Sequence, residues 1–153
     1  MDNFNQEPTR FIFYLQFAKQ LPRYYFQLAN ILSYYNIQFV PVSLDQLREM
    51  ASNRNKMVVI VGETDLQTRG KMRKALKSSL GVMMRYRKIS LFHISSFEKN
   101  LELAPMEKSN NYYFVRLPES YELIVQQVCY FLAENLNVIN KWPGGRRAKL
   151  PSA

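Results

Sequence analysis

Cysteine and histidine are almost absent from this chain, which limits the chemistry that its side chains can provide. Its 153 residues include one cysteine, Cys129, and one histidine, His93. These numbers exclude an internal disulfide and a metal site built from Cys and His ligands. We interpret Cys129 as a buried, inert thiol and His93 as a partly buried structural residue of a strand. Because this cysteine usage is typical of a reducing compartment, we predict a cytoplasmic protein.

Long apolar runs and nucleotide-binding motifs are also missing. No stretch approaches the roughly 18 apolar residues of a membrane span. The polar start of the chain carries Asp2 and Glu7 and does not have the pattern of a signal peptide. Neither a G-x-G-x-x-G nor a Walker pattern occurs, so no motif supports a nucleotide pocket. We therefore expect no membrane span, no cofactor and no metal.

The apolar content of the chain is that of a folded protein. Hydrophobic residues make up 47% of the sequence and aromatic residues 14%, which is enough for one domain with its own core. We predict a polar lead-in at residues 1–9, an α/β domain over residues 10–140, and a basic linker or disordered tail over residues 141–153.

Acidic residues are missing from one long segment. Residues 66–88 contain eight Lys and Arg and no acid, and residues 141–149 contain four more cations, in a chain whose net charge is +9. The rest of the chain is therefore slightly acidic. A localised basic segment favours an anionic partner more than evenly spread basicity does.

Strand and helix patterns alternate along the chain. Amphipathic spacing predicts helices between Pro22 and Asn36, after an N-cap at Ser43, over the basic residues 66–88 with a break at Gly81, and after an N-cap at Ser120. Short β-branched or aromatic runs predict strands at Arg10–Gln16, Ile37–Val42, Lys56–Gly62, Ile89–Ser95 and Tyr112–Arg116. This order predicts an α/β fold, a three-layer αβα sandwich with a five-stranded parallel sheet in the flavodoxin-like order 2-1-3-4-5.

The layout of residues 10–138 resembles a response-regulator receiver domain, and the local match is best near its end. Tyr113 to Pro118 reads as a hydrophobic fifth strand followed by proline and an amphipathic helix, where receivers have a strand that ends in Lys-Pro. Arg116 stands where the resemblance places that lysine. Ser95 stands at the position of the receiver's switch Ser or Thr. The resemblance implies a regulatory domain that works in signalling.

The acids that receivers use for phosphorylation are absent from the matching positions. Gln16 follows the first strand where receivers carry acids that hold Mg²⁺, and Gly62 ends the third strand where they carry the phospho-accepting Asp. Glu63 and Asp65 come later, and a carboxylate displaced by one residue along a strand points elsewhere. Because phosphoryl transfer needs a metal to neutralise developing charge, we expect a degenerate pseudo-receiver that is not an enzyme.

The basic helix is the leading candidate for partner binding. We predict that it docks onto an acidic protein surface. A solvated helix face, contact with anionic lipid, and nucleic-acid binding together with the tail are open alternatives. Lys71, Lys74 and Lys77 recur at a spacing that would follow phosphates, but no helix-turn-helix or zinc finger accompanies them. The candidate contact residues are Arg69, Lys71, Arg73, Lys74, Lys77 and Arg85.

Two further hypotheses concern other parts of the chain. The segment from Gly62 to Asp65 is either a turn in which Thr64 or Asp65 caps the next helix, or the edge of a site that senses a small ligand. The exposed side of Tyr121 to Asn135 in the last helix is a candidate homodimer face, as the resemblance to receivers implies.

Overall fold

The computed structural model describes residues 10–53, 56–98, 111–117 and 120–136, with the side chains of residues 121, 135 and 136 left out. The predicted lead-in and tail lie outside these residues. The strands are β1 (Arg10–Leu15), β2 (Ile37–Val42), β3 (Met57–Glu63), β4 (Ile89–Ser95) and β5 (Tyr112–Arg116). The helices are α1 (Arg23–Ser33), α2 (Leu44–Asn53), α3 (Leu66–Lys77), α4 (Ser79–Arg85) and α5 (Tyr121–Leu136).

All five strands form one parallel sheet in the order β2-β1-β3-β4-β5. The fold is therefore a flavodoxin-like α/β sandwich, as predicted. The register aligns the carboxyl ends of the strands, with Leu15 beside Val42 and Val61, and Ser95 beside Glu63 and Arg116. This aligned edge collects the residues that follow each strand, and the order reverses at β1, between β2 and β3.

Each face of the sheet carries its own hydrophobic core. One core joins the even-numbered residues Ile12, Val58 and Phe92 to helices α1 and α5. The other joins odd-numbered residues such as Val59 and Leu91 to helices α2, α3 and α4. Because side chains alternate along a strand, neighbouring residues at the carboxyl edge enter different cores. No helix in the described parts of the chain is long and apolar enough to cross a membrane.

Local capping signals explain where several helices begin and end. Asn36 follows α1 with φ of 58°, a left-handed conformation that Asn tolerates well. Ser43 and Gln46 form the predicted capping box, since the backbone N–H of each donates to the side chain of the other. Ser120 accepts a hydrogen bond from the Leu123 backbone and so caps α5 as predicted.

The basic segment over residues 66–88 forms two helices, and the predicted position of the break, at Gly81, is wrong. The break lies at Ser78, whose φ of −121° and ψ of −104° are not helical, and not at Gly81. Gly81 is instead buried within α4, where an added Cβ would lie 2.2 Å from the carbonyl oxygen of Leu76. The glycine therefore allows α4 to pack closely against the end of α3.

Candidate functional site at the carboxyl edge

The last two residues of β3 face opposite sides of the sheet. The Cβ direction of Gly62 points toward tyrosines of β1 and α1, whereas the Glu63 side chain contacts β4. The structure extends β3 by one residue beyond the predicted end at Gly62. The expectation that Glu63 would point away from the receiver's acceptor position is confirmed, and the two residues belong to different sites.

A tyrosine hydroxyl occupies the space beside Gly62. A Cβ at this position would lie 2.1 Å from the Tyr24 hydroxyl and 3.0 Å from the Tyr14 hydroxyl. These hydroxyls are 3.3 Å apart and share a hydrogen bond, and both tyrosines are buried. Burial raises the pKa of Tyr14, although its contacts with Tyr24 and the Gly62 backbone oppose the rise. Tyr14 is therefore neutral at physiological pH. Gly62 is glycine because the Tyr24 hydroxyl leaves no space for a side chain.

A small cavity of about 230 Å³ opens beside this tyrosine pair. Its buried part is formed by Tyr14, Tyr24 and Thr68, and its exposed rim includes Gln20 and Thr64. The complete lining is Tyr14, Gln16, Ala18, Gln20, Leu21, Pro22, Tyr24, Gly62, Thr64 and Thr68. None of these side chains is acidic or basic. Two of the predicted receiver positions, Gln16 and Gly62, thus meet in a neutral cavity.

The capping of α3 fixes one wall of the cavity. Asp65 accepts a hydrogen bond from the Thr68 backbone at 2.8 Å, and the Thr68 hydroxyl receives the backbone N–H groups of Thr64 and Asp65. This arrangement is a capping box, which confirms that Asp65 caps the helix after β3. Asp65 serves the helix terminus and does not line the cavity.

Glu63 is a buried carboxylate on the opposite face. It is 5% exposed, accepts a 2.6 Å hydrogen bond from the Ser95 hydroxyl, and lies 3.2 Å from Nε2 of His93. Burial alone would raise the pKa of Glu63, but the His93 ring, the Ser95 hydroxyl and the Arg69 guanidinium hold it below the ordinary value of 4.5. Glu63 is therefore ionised at neutral pH.

His93 links this carboxylate to β5. Its Nδ1 lies 2.9 Å from the Tyr112 hydroxyl, and its Nε2 faces Glu63 without the alignment of a good hydrogen bond. The carboxylate favours the tautomer that carries the proton on Nε2, which leaves Nδ1 to accept from Tyr112. The histidine is 2% exposed, so it is fully buried rather than partly buried. Residue patterns alone did not reveal its partners.

The buried network continues toward the surface through Ser95. The Ser95 hydroxyl accepts a 2.9 Å hydrogen bond from the Phe97 backbone, and the Arg69 guanidinium lies 4.7 Å from the centre of the Phe97 ring. Ser95 itself is completely buried. This predicted switch position thus lies with Glu63, not with Gly62, and it orders the segment that follows β4.

Arg116 does not join either site. Its Nη1 lies 3.9 Å from a carboxylate oxygen of Glu98, and both side chains are more than half exposed. An exposed pair at this distance contributes little to stability. The four predicted receiver positions are therefore divided among the cavity, the buried network and the surface. Among the described residues, no three His, Cys, Asp or Glu side chains converge as a metal-binding cluster.

The predicted basic contact residues share the outer side of α3 and α4. Arg69 is the exception, since it is half-buried against Phe97. Lys71 is exposed and directs its Nζ to the carbonyl oxygen of Phe17 at 3.4 Å. The buried sides of both helices carry Met72, Leu76, Leu80 and Met83. We call the exposed cations the basic surface: Lys71, Arg73, Lys74, Lys77 and Arg85.

Two exposed apolar side chains adjoin Arg85 of the basic surface: Val82 in α4 and Tyr86, the residue that follows this helix. Tyr86 is 70% exposed and Val82 is 44% exposed, and they lie one helical turn apart beside Arg85. No apolar contact was predicted at this surface. Val82 and Tyr86 lie away from the side of α4 that buries Leu80 and Met83. This difference indicates an exposed apolar contact only when the end of α4 is known.

Comparisons with known proteins give the chain no relatives. A scan against protein-family models, a search of curated proteins and a search of solved structures each returned no match. The function is therefore argued from the geometry of the carboxyl edge and of the basic surface.

Proposed function

We propose that this protein is a non-catalytic regulatory module, related in design to receiver domains, that acts by docking its basic surface onto an acidic protein. We place this activity in the cytoplasm. The observation that carries the proposal is the contrast between a carboxyl edge without an acidic pocket and an outer helix surface with concentrated positive charge.

The carboxyl edge supports the non-catalytic part of the proposal. The side chains around Gly62 are neutral, and the Tyr24 hydroxyl fills the space where a phospho-accepting side chain would begin. The nearest carboxylate along β3, Glu63, is buried on the other face and already bonded to Ser95. A carboxylate held in this way is not free to take a phosphoryl group.

The composition of the outer surface supports a protein partner. Cations alone would suit phosphates as well as carboxylates, but Tyr86 and Val82 add apolar area next to Arg85. Tyrosine and arginine are the residues that most often dominate protein–protein interfaces. Acidic groups on the partner would also relieve the repulsion among neighbouring lysines of α3.

Fluorescence anisotropy with defined probes tests the docking surface. The probe is a short labelled peptide in which glutamates alternate with phenylalanines, compared with the same peptide carrying glutamine at each glutamate. We expect the acidic peptide to bind more tightly. Lys74→Glu and Tyr86→Ala should each weaken binding by about tenfold.

Matched controls come from Arg23 in α1 and from Tyr34, the C-cap residue of α1, on the opposite face of the sheet. Arg23→Glu introduces the same charge reversal, and Tyr34→Ala removes a tyrosine that is 80% exposed; both should change binding by less than about twofold. Equal effects of control and test variants, or equal binding of the two peptides, would refute docking through this surface. Submicromolar binding to duplex or single-stranded DNA with a steep salt dependence would instead support the nucleic-acid alternative.

Mass spectrometry tests the non-catalytic part separately. After incubation with acetyl phosphate and Mg²⁺, we expect no stable adduct of about 80 Da, the mass of one phosphoryl group. Such an adduct on Glu63 or Asp65 would contradict the proposal. The homodimer face on α5 stays a prediction, and sedimentation of the full chain would test it.

A further inference from the structure

We propose that the cavity beside Gly62 is a binding site for a small, uncharged, polar molecule. This inference goes beyond docking through the basic surface and does not depend on it. It rests on the place of the cavity in the fold, the chemistry of its lining and its size.

The cavity lies where the strand order reverses. β1 pairs with β2 on one side and with β3 on the other, so the connections after β1 and β3 turn to opposite faces and leave a crevice between them. In open parallel sheets, ligands bind in this crevice at the carboxyl ends of the strands. Residues from both connections line the cavity: Gln16, Ala18, Gln20, Leu21 and Pro22 after β1, and Thr64 after β3.

The side chains that line the cavity carry no charge. The polar groups available to a ligand are the hydroxyls of Tyr14, Tyr24 and Thr64, the side-chain oxygen of Gln16 and the amide of Gln20. The Thr68 hydroxyl is held in the α3 cap, and the Gln16 amide nitrogen donates to backbone carbonyl oxygens. An ion that entered would lose hydration without meeting an opposite charge from the lining side chains, which is costly. Hydroxyl and amide groups on a neutral ligand would exchange water for these partners at little cost.

The buried tyrosine pair gives the cavity a fixed polar wall. Tyr24 is 2% exposed and Tyr14 is 4% exposed, and their rings pack edge to face with centroids 6.4 Å apart. The absence of a side chain at Gly62 allows the Tyr24 hydroxyl to occupy this place. The hydroxyls are therefore held in position before a ligand arrives, as binding sites require.

The volume limits the ligand to a small molecule. A cavity of about 230 Å³ has the volume of about eight water molecules at roughly 30 Å³ each. It is smaller than the sites that hold drug-sized ligands, which start at about 300 Å³. A single ring with hydroxyl or amide substituents is the class of ligand that fits.

Titrations followed by ¹H–¹⁵N correlation spectra of the full chain test the site. The probes are three uncharged molecules, uracil, D-ribose and nicotinamide, each paired with an anionic relative: orotate, ribose 5-phosphate and nicotinate. At least one neutral probe should cause saturable shifts of the Gly62, Thr64 and Thr68 amides. Its anionic relative should bind at least about tenfold more weakly.

Variants identify the site through its tyrosine wall. Tyr24→Phe removes one hydroxyl and should weaken binding of the neutral probe by about threefold or more. Gly62→Ala displaces the same hydroxyl and should weaken it further. The matched control is Gly70→Ala on α3, where an added Cβ meets no atom within 4 Å, and binding should not change. If Gly62→Ala does not fold, the affinity of Tyr24→Phe alone shows whether the probe binds beside the tyrosine pair.

Three results would overturn the proposal. The first is the absence of saturable shifts at these amides for every neutral probe up to about 10 mM. The second is equal or tighter binding of the anionic relatives. The third is unchanged affinity in the folded Tyr24→Phe variant. None of these results bears on the acidic peptide, which binds elsewhere.

Discussion

Adding one methyl group at Gly62 would force apart the packing that shapes the carboxyl edge. The Cβ of Gly62→Ala would lie 2.1 Å from the Tyr24 hydroxyl and 3.0 Å from the Tyr14 hydroxyl. Tyr24 is almost fully buried and its ring packs on Tyr14, so the hydroxyl moves only if the ring moves. Overpacking of this kind costs about 1–3 kcal/mol, and disturbing the Tyr14–Tyr24 hydrogen bond adds about 1 kcal/mol.

A second substitution separates this clash from other effects of alanine. In the Gly62→Ala/Tyr24→Phe double variant, the nearest Tyr24 atom is Cζ at 3.5 Å, which is an ordinary contact. The double variant should therefore be more stable than Gly62→Ala alone, although Tyr24→Phe on its own costs about 1 kcal/mol. Such an opposite-signed coupling is the signature of a direct clash.

Equilibrium urea unfolding measures the stability of the wild type, Gly62→Ala, Tyr24→Phe and the double variant. Gly70→Ala serves as the control. Gly70 is exposed in α3 and an added Cβ meets no atom within 4 Å, so alanine there should stabilise the protein by up to about 1 kcal/mol through helix propensity. Gly62→Ala should lower the midpoint without a change in the m-value. A Gly62→Ala variant as stable as the wild type, or a Tyr24→Phe change that gives no rescue, would refute the reasoning.

Three further predictions follow from buried groups elsewhere. Gly81→Ala should cost about 3 kcal/mol in the same urea assay, because its Cβ meets a backbone carbonyl oxygen at 2.2 Å; a neutral effect would contradict this. The lowered pKa of Glu63 means that its ionised form stabilises the protein above pH 4.5 and that this stability is lost as the pH falls below 4.5. The Glu63→Gln variant should lack this loss of stability at acid pH when unfolding is measured against pH. Parallel stability profiles for the variant and the wild type would argue against this role of Glu63. Burial raises the pKa of Cys129 to about 12, so a thiol reagent should label it only after unfolding, and rapid labelling of the native protein would be inconsistent with its burial.

The elements of this fold could be predicted because their signals are local. Three strands, Ile37–Val42, Ile89–Ser95 and Tyr112–Arg116, have the predicted bounds, since each is a short apolar run between polar turn residues. The capping box of Ser43 and Gln46 needs only four consecutive residues. The sheet order followed from the alternation of strands and helices together with the right-handed crossover rule.

The break between α3 and α4 was placed wrongly because its cause is not local. Glycine interrupts a helix by propensity alone, which pointed to Gly81. In the structure Gly81 is helical, and its missing side chain accommodates the Leu76 carbonyl across the bend. The bend itself occurs at Ser78, whose hydroxyl donates to the carbonyl oxygen of Lys74. Position 81 therefore needs glycine because of a contact between α4 and the Leu76 carbonyl of α3, which a local sequence pattern does not show.

The polar network around His93 escaped prediction because it spans three strands. Alternation shows that His93 and Ser95 share a face of β4, but only the strand register places Glu63 opposite Ser95 and Tyr112 within reach of His93. Residues 19 to 32 positions apart make these contacts. No pattern within a short window carries that information.

The register also explains why a single substitution would not turn this edge into a receiver site. An Asp placed at Gly62 would begin its side chain at the Tyr24 hydroxyl and would enter a cavity whose lining offers no carboxylate to share a cation. Glu63, the carboxylate already present, points into the other core and is held by Ser95 and His93. Phosphorylation at this edge would require a smaller residue at position 24, acids after β1 and an acceptor at position 62 together. The two consecutive residues that end β3 thus commit this edge to neutral hydroxyl groups on one face and to a buried, bonded carboxylate on the other.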